Sequence, residues 1–103
     1  MENNHLEFSG TLEELTALRY TPAGVPLIEC KISHRSRQLE SGGEREVILT
    51  LPAIAIGEIA QRLQRLSVSR AISASGFLAR KSWNSPHIVL HICSLENIQT
   101  GAQ

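Results

Sequence analysis

The sequence contains no aspartate, so all ten of its acidic residues are glutamates. Metal cages, phosphoryl-transfer sites and many catalytic triads depend on aspartate, which lowers the expectation of an enzyme. Motifs for a serine nucleophile, a phosphate-binding glycine loop or an H-E-x-x-H zinc site are also missing. His34, His87 and His91, together with the two cysteines, lack the paired, closely spaced ligands of structural zinc sites. We therefore predict a non-catalytic protein without metal or cofactor.

The chain also lacks long apolar runs and an excess of charge of either sign. No run approaches the ~20 residues that cross a bilayer, and the N-terminal MENNHLEFSG has neither the basic start nor the apolar segment of a signal peptide. These absences predict a cytoplasmic protein. Ten basic and ten acidic residues give zero net charge, which argues against a strongly basic nucleic-acid binder but allows a local basic face.

Cysteine is scarce, and the two that are present, Cys30 and Cys93, lie far apart in segments of alternating hydrophobicity. Such isolated cysteines are most often buried free thiols. A disulfide between adjacent strands is the alternative interpretation.

At 103 residues the chain is predicted to form one domain, residues 1–103. Alternating or continuous apolar patterns predict five strands, in segments 6–12, 27–33, 47–56, 69–82 and 88–98. Helical spacing of apolar residues predicts one helix in GEIAQRLQRL, with Ile56 on its apolar face. The polar segment 34–46, centred on Gly42-Gly43, indicates a long hairpin tip or a mobile loop, and Pro52 is expected to end or kink its strand.

Three strands, a helix and two further strands are the order of an all-β, five-stranded Greek-key OB barrel. A small α+β sheet with the helix on one face is the alternative. Glycines inside strands favour the barrel, since a small barrel needs strong coiling: Gly10 indicates a bend or bulge, and Ala74 with Gly76 a close backbone approach. Exposed strand edges favour a homodimer, for which Leu6–Leu12 and the apolar VILTL are the candidate interfaces.

Several short motifs resemble a known family when they are taken in order. SGTL, TPAGVPLIECKIS, the segment from AIAIGEIAQ to SGFL and the closing IVLHICSLENI resemble bacterial single-stranded DNA-binding proteins over nearly the whole chain. PAGVP followed by HRS, and GF followed by a basic pair and VLH, resemble the primosomal replication protein N family. No glycine-rich linker or acidic tail follows the last predicted strand. The resemblance implies an OB-fold homodimer that binds single-stranded DNA and a primosomal helicase during replication restart.

Binding of a single strand needs cations for the phosphates and flat side chains on which bases stack. OB folds carry these groups on their strands and connecting loops. Trp83 follows a basic pair in the loop before the last strand, and Tyr20 follows an arginine in the first turn. With support from the resemblance, the candidate DNA-binding residues are Arg19, Tyr20, Lys31, Arg35, Arg80, Lys81 and Trp83.

The two aromatic candidates also have structural interpretations. Trp83 could cover the barrel end as a lid or lie in a dimer contact, and Tyr20 could be a packing residue. Where the resemblance leads us to expect an aromatic on the third strand, this chain has Val47-Ile48-Leu49. With so few aromatics, we expect binding that is mainly electrostatic and strongly dependent on salt.

Three other functions remain open from the sequence. A protein-interaction module would use the 34–46 and 80–87 segments to bind a protein, with DNA binding weak or incidental. An RNA-binding OB protein would be separated by comparing matched RNA and DNA oligomers. An oligosaccharide-binding domain would need more exposed aromatic residues than this chain offers.

Overall fold

The computed structural model describes residues 1–97, with residue 97 described by its backbone alone. The strands within this range are β1 (Leu6–Leu15), β2 (Arg19–Tyr20), β3 (Pro26–Glu40), β4 (Gly43–Ile56), β5 (Ala71–Arg80) and β6 (Ile88–Asn97). One helix, α1 (Glu58–Gln64), lies between β4 and β5. Residue 98, included in the last predicted strand, lies outside the described residues. Within the described part of the chain, no helix has the length and apolar character needed to cross a membrane.

The five long strands close into a barrel because β1 pairs with two neighbours. Its first half is antiparallel to β5 and its second half to β3, and Thr11 pairs with both Ala71 and Ser33. A bulge between Leu12 and Glu14 accompanies the change of partner. The remaining order is β5, β6, β4, β3, with β4 parallel to β6 over two residue pairs. This is the predicted OB barrel, and the alternative of an open α+β sheet is wrong.

The barrel interior is filled by alternate side chains of the strands. Ile28, Ile32, Ile72 and Leu90 are fully buried together with Leu12. Helix α1 adds its apolar face to this core, where Ala60 and Leu63 are fully buried. Seven residues of helix would be unstable alone, so burial against the barrel supplies the stabilisation.

The polar segment 34–46 forms an extended hairpin rather than a mobile loop. Strands β3 and β4 remain paired along their whole length, from Leu27–Ile56 to Glu40–Gly43. The tip is Ser41-Gly42, one residue earlier than the predicted centre. Both residues have positive φ angles, 55° and 81°, as the type I′ turn requires, and such turns match the twist of the paired strands.

Strand β4 differs from its prediction at Pro52 and at Ile56. Pro52 neither ends the strand nor breaks its pairing with Lys31. The short ladder between β4 and β6 begins one residue later, at Ala53. The N–H that proline lacks is therefore not needed for a hydrogen bond to β6. The strand is also buried on one face only. Ala53 and Ala55 lie in the core, whereas Ile48 is exposed on the other face. Ile56 is the last residue of this strand and not part of the helix.

Strand β6 has a bulge of one extra residue opposite the Ser75–Gly76 step of β5. Ser75 pairs with Ser94 and Gly76 with Ile92, which leaves Cys93 unpaired in a bulge. Cys93 is consequently exposed, so the prediction that both thiols are buried is wrong for this residue, while Cys30 is buried. Neither cysteine forms a disulfide. The turn predicted at residues 19–26 also contains the short strand β2.

Candidate nucleic-acid interface

A groove of about 770 Å³ crosses the outer surface of the barrel over β3 and β4. Its floor is formed by outward-facing side chains, among them Leu27, Pro52 and Ile54. One wall comes from the end of β1 and from β2, and the other from the loop 81–87 and the start of β6. These are the strands and loops with which OB folds bind oligonucleotides and oligosaccharides.

Three of the predicted cations line this groove: Arg19, Lys31 and Lys81. Arg19 is held by β2 and forms an ion pair of 2.6 Å with Glu29, which lies diagonally across the ladder on β3. Lys31 lies directly opposite Glu14 in the β1–β3 ladder, and its Nζ is 3.7 Å from that carboxylate. The groove therefore contains positive groups at the predicted positions, but two of them already have acidic partners.

Arg35 is not part of the groove. It lies farther along β3 on the hairpin arm, where its guanidinium is 3.3 Å from the carboxylate of Glu46. Two further ion pairs continue toward the tip, between Arg37 and Glu44 and between Arg45 and Glu40. The arm thus neutralises its own charge through a series of exposed pairs, each of which contributes ~0–1 kcal/mol.

The loop between β5 and β6 is a compact turn, which its own hydrogen bonds hold in place. The backbone N–H of Lys81 donates to the His87 carbonyl at 2.9 Å, and that of His87 donates to the Ser85 hydroxyl at 3.1 Å. Arg80 ends β5, and neither Arg80 nor Lys81 has an acidic partner within 4 Å in the described residues. These two cations are therefore available to an added anion.

Trp83 stands at the tip of this loop with 83% of its surface exposed. Its neighbour Ser82 lines the groove. The tryptophan does not cover the barrel end, so within this chain the lid interpretation is wrong. Tyr20 is 60% exposed next to Arg19 and does not line the groove. Neither ring lines the groove, although each follows a residue that does, and both rings are open to solvent.

The sequence analysis missed an aromatic pair on the outer face of the barrel. The rings of Phe77 and His91 stack with centroids 4.9 Å apart and planes 8° from parallel, as cross-strand partners of β5 and β6. His91 lines the groove, as do His87, Glu14 and Glu29. Glu29 lies two residues before Lys31 on one strand, so the sequence could have placed both side chains on the same face. No short-range pattern linked Phe77 to His91.

Cys30 lies beneath the groove but cannot serve as a reactive group. Burial raises the pKa of its thiol to about 12, so the thiol remains protonated at neutral pH. Among residues 1–97, no cluster of three or more potential ligands could hold a metal ion.

The closed barrel, with its groove flanked by cations and exposed aromatic rings, defines an OB-fold protein of the oligonucleotide-binding class. Comparison with known proteins is consistent with this class. A family model described as "Another single-strand binding protein family" matches residues 4–94. The wild-type single-stranded DNA binding protein from Thermus aquaticus shares the fold, with a TM-score of 0.77 over 94% of this chain and 50% of that one, at 22% identity.

Closer relatives carry a more specific name. Replication restart protein PriB of Nitrosomonas europaea is 38% identical over 89% of this chain and 85% of its own length. The PriB structure from Ralstonia solanacearum has a TM-score of 0.87 and 35% identity, covering 95% of this chain and all of that chain. The chain therefore belongs to the replication restart protein PriB family within the single-strand binding proteins, and the resemblance noted in the sequence is confirmed.

Proposed function

We propose that this protein is a non-catalytic accessory factor of the replication-restart primosome, which binds single-stranded DNA and bridges it to the primosomal helicase. The observation that carries the proposal is the groove over β3 and β4, which is lined at one end by Lys81 and Ser82. Next to these lie Arg80 and the exposed Trp83, and among the described residues neither Arg80 nor Lys81 has an acidic partner. The names of its relatives support the restart role. Work on replicating DNA would take place in the cytoplasm.

The groove suggests how a single strand would bind. Lys81 and Arg80 would contact phosphates at one end, and Trp83 would stack on a base beside them. Arg19 and Lys31 would contact phosphates farther along the groove, and Tyr20 would reach the strand only outside the groove, beyond Arg19. Arg35 would join only if the strand extended onto the hairpin arm. Few stacking rings are available, so phosphate contacts would dominate the affinity.

The direct test is fluorescence anisotropy of a labelled single-stranded oligomer at two salt concentrations, with Trp83 emission followed in parallel. We expect affinity to fall steeply with salt, because each phosphate contact contributes about −0.7 to the slope of log K against log salt for single strands. Absence of binding at low salt would contradict the proposal. Binding with a nearly flat salt dependence would contradict its electrostatic basis.

Removing the two unpaired cations should weaken DNA binding without unfolding the protein. The variant Arg80→Gln/Lys81→Gln is expected to bind up to ~5-fold more weakly per lost charge at low salt. Its salt slope should be shallower by ~1.4 if both side chains contact phosphates. The matched control, Arg65→Gln/Arg70→Gln, removes the same charge outside the groove, and equal losses in both variants would indicate a long-range effect only.

We further propose that two copies associate through β1 and β4. The first half of β1 has no β3 partner before Thr11, so part of its edge is free to pair with another strand. Ile48 and Leu49 leave apolar surface exposed on β4. Such a two-fold dimer would join two grooves into one longer binding surface.

Sedimentation equilibrium tests this association. We expect a mass of twice 11.3 kDa and a shift toward the single-chain mass for Ile48→Lys, because a buried unpaired charge opposes association. Leu39→Lys is the control: it alters an even more exposed apolar residue near the hairpin tip, 79% exposed against 62% for Ile48. A single-chain mass for the wild type, or equal shifts in both variants, would contradict this interface.

One observation favours a protein-interaction module as the second candidate function. Arg19, Lys31 and Arg35 each have a glutamate partner, so much of the basic surface is neutralised before DNA arrives. A partner protein that still binds the Arg80→Gln/Lys81→Gln variant, while DNA binding by the wild type is negligible, would support this alternative.

A further inference from the structure

The groove contains two glutamates among the cations that would contact DNA. Glu29 binds Arg19 at 2.6 Å, and Glu14 lies 3.7 Å from Lys31. All four residues line the same groove, whereas Lys81 at the far wall has no acidic partner in the described residues. Two of the three groove cations, Arg19 and Lys31, thus already form ion pairs with glutamates.

A phosphate and a carboxylate compete for the same guanidinium or ammonium group. The Arg19–Glu29 pair is partly exposed, with 55% and 31% of the two side chains accessible, so a phosphate can reach the guanidinium without prior unfolding. Exposed pairs of this kind are weak, so a phosphate can displace the carboxylate. The displaced glutamate nevertheless stays in the groove and repels the strand.

Resting on the single-stranded DNA binding proposed above, we propose that Glu29 and Glu14 are intramolecular competitors that hold the affinity of the groove for DNA low. Each occupies the cation that a phosphate would use, and each must be displaced when the strand binds. The affinity for DNA is thereby set by the groove's own acidic residues as well as by its cations.

The test is Glu29→Gln in the full-length protein, measured by anisotropy with a labelled oligothymidylate. We expect DNA to bind ~2- to 5-fold more tightly at low salt, the range that an exposed ion pair spans. The salt slope should steepen by up to ~0.7, because the carboxylate displaced from Arg19 no longer remains to offset the charge of that phosphate contact. Glu14→Gln should act in the same direction with a smaller change, since its ion pair is longer. The backbone hydrogen bonds between residue 29 and Thr16 do not involve the substituted side chain.

Two comparisons separate competition from general repulsion. Glu13→Gln removes the same charge from an exposed neighbour of Glu14 that does not line the groove, and it should change the affinity less than Glu29→Gln does. In an Arg19→Gln background the gain from Glu29→Gln should shrink, because no cation remains to be released. Equal gains in both backgrounds, or no gain at all, would overturn this inference. Failure of the wild type to bind DNA at low salt would instead overturn the proposed function.

Discussion

Replacing Gly76 with alanine is expected to destabilise the folded barrel by about 3 kcal/mol or more. A Cβ atom at this position would lie 1.8 Å from the carbonyl oxygen of His91 and 3.1 Å from the backbone nitrogen of Cys93. Both atoms belong to the backbone of β6 at its bulge, so no side-chain rotation can relieve the clash. The bulge, or the pairing of β5 with β6, would have to open.

Chemical denaturation followed by far-UV circular dichroism measures this loss as a lower midpoint with an unchanged m-value. The protein concentration must be equal for all variants, because association would add to the apparent stability. Gly43→Ala is the matched control: its nearest neighbour would be 3.9 Å away and its φ angle is not positive. We expect the free energy of unfolding of the control to be unchanged or to rise by ~0.4–1 kcal/mol. Equal stabilities for the two variants would show that the barrel accommodates a Cβ atom at position 76.

Much of the fold is predictable because it depends on local pattern. Alternation in LIECKIS places Ile28 and Ile32 in the core, and the helical spacing of apolar residues around Leu63 predicts helix α1. Gly76 indicated a close approach of another backbone segment, although the sequence did not show which residue would lie opposite it. These features need only the residue types and their spacing.

The remaining differences arise from long-range pairing, which no local pattern encodes. The segment 34–46 is polar, as loops are, yet two strands pair across it and satisfy its backbone while the side chains stay in water. Cys93 shares its parity with buried residues, but the bulge opposite Gly76 turns it outward. Pro52 does not interrupt the ladder between β4 and β6, because that ladder begins only at Ala53.

The candidate site was predictable in its residue types but not in its charge balance. The loop position of Trp83, beside two cations, was visible in the sequence. That Arg19 would meet Glu29, and Lys31 meet Glu14, depends on the register of β2 and β1 against β3. Zero net charge is therefore distributed unevenly. The hairpin arm and the groove cations Arg19 and Lys31 are balanced by local pairs, whereas Arg80 and Lys81 at the end of β5 have no acidic partner among the described residues.

Replacing Trp83 with alanine is expected to weaken binding of single-stranded DNA by ~1–3 kcal/mol, or ~5- to 150-fold, the range measured for one base stacked on an aromatic ring. The protein has few other rings near the groove, so no neighbouring aromatic would replace this contact. Because 83% of the side chain is exposed in the folded chain, unfolding stability should change by less than ~0.5 kcal/mol. The loss would then belong to binding and not to folding.

Trp83→Phe is the control that distinguishes stacking from other roles of the loop. It keeps a flat ring and should retain most of the affinity, and its salt slope should match that of the wild type because no phosphate contact is lost. In the wild type, tryptophan emission should be quenched in proportion to the anisotropy change, since Trp83 is the one tryptophan in the sequence. Unchanged affinity in Trp83→Ala would instead assign binding to the cations alone. The exposed ring would then be explained by a protein contact, since an exposed tryptophan is a frequent anchor at protein interfaces.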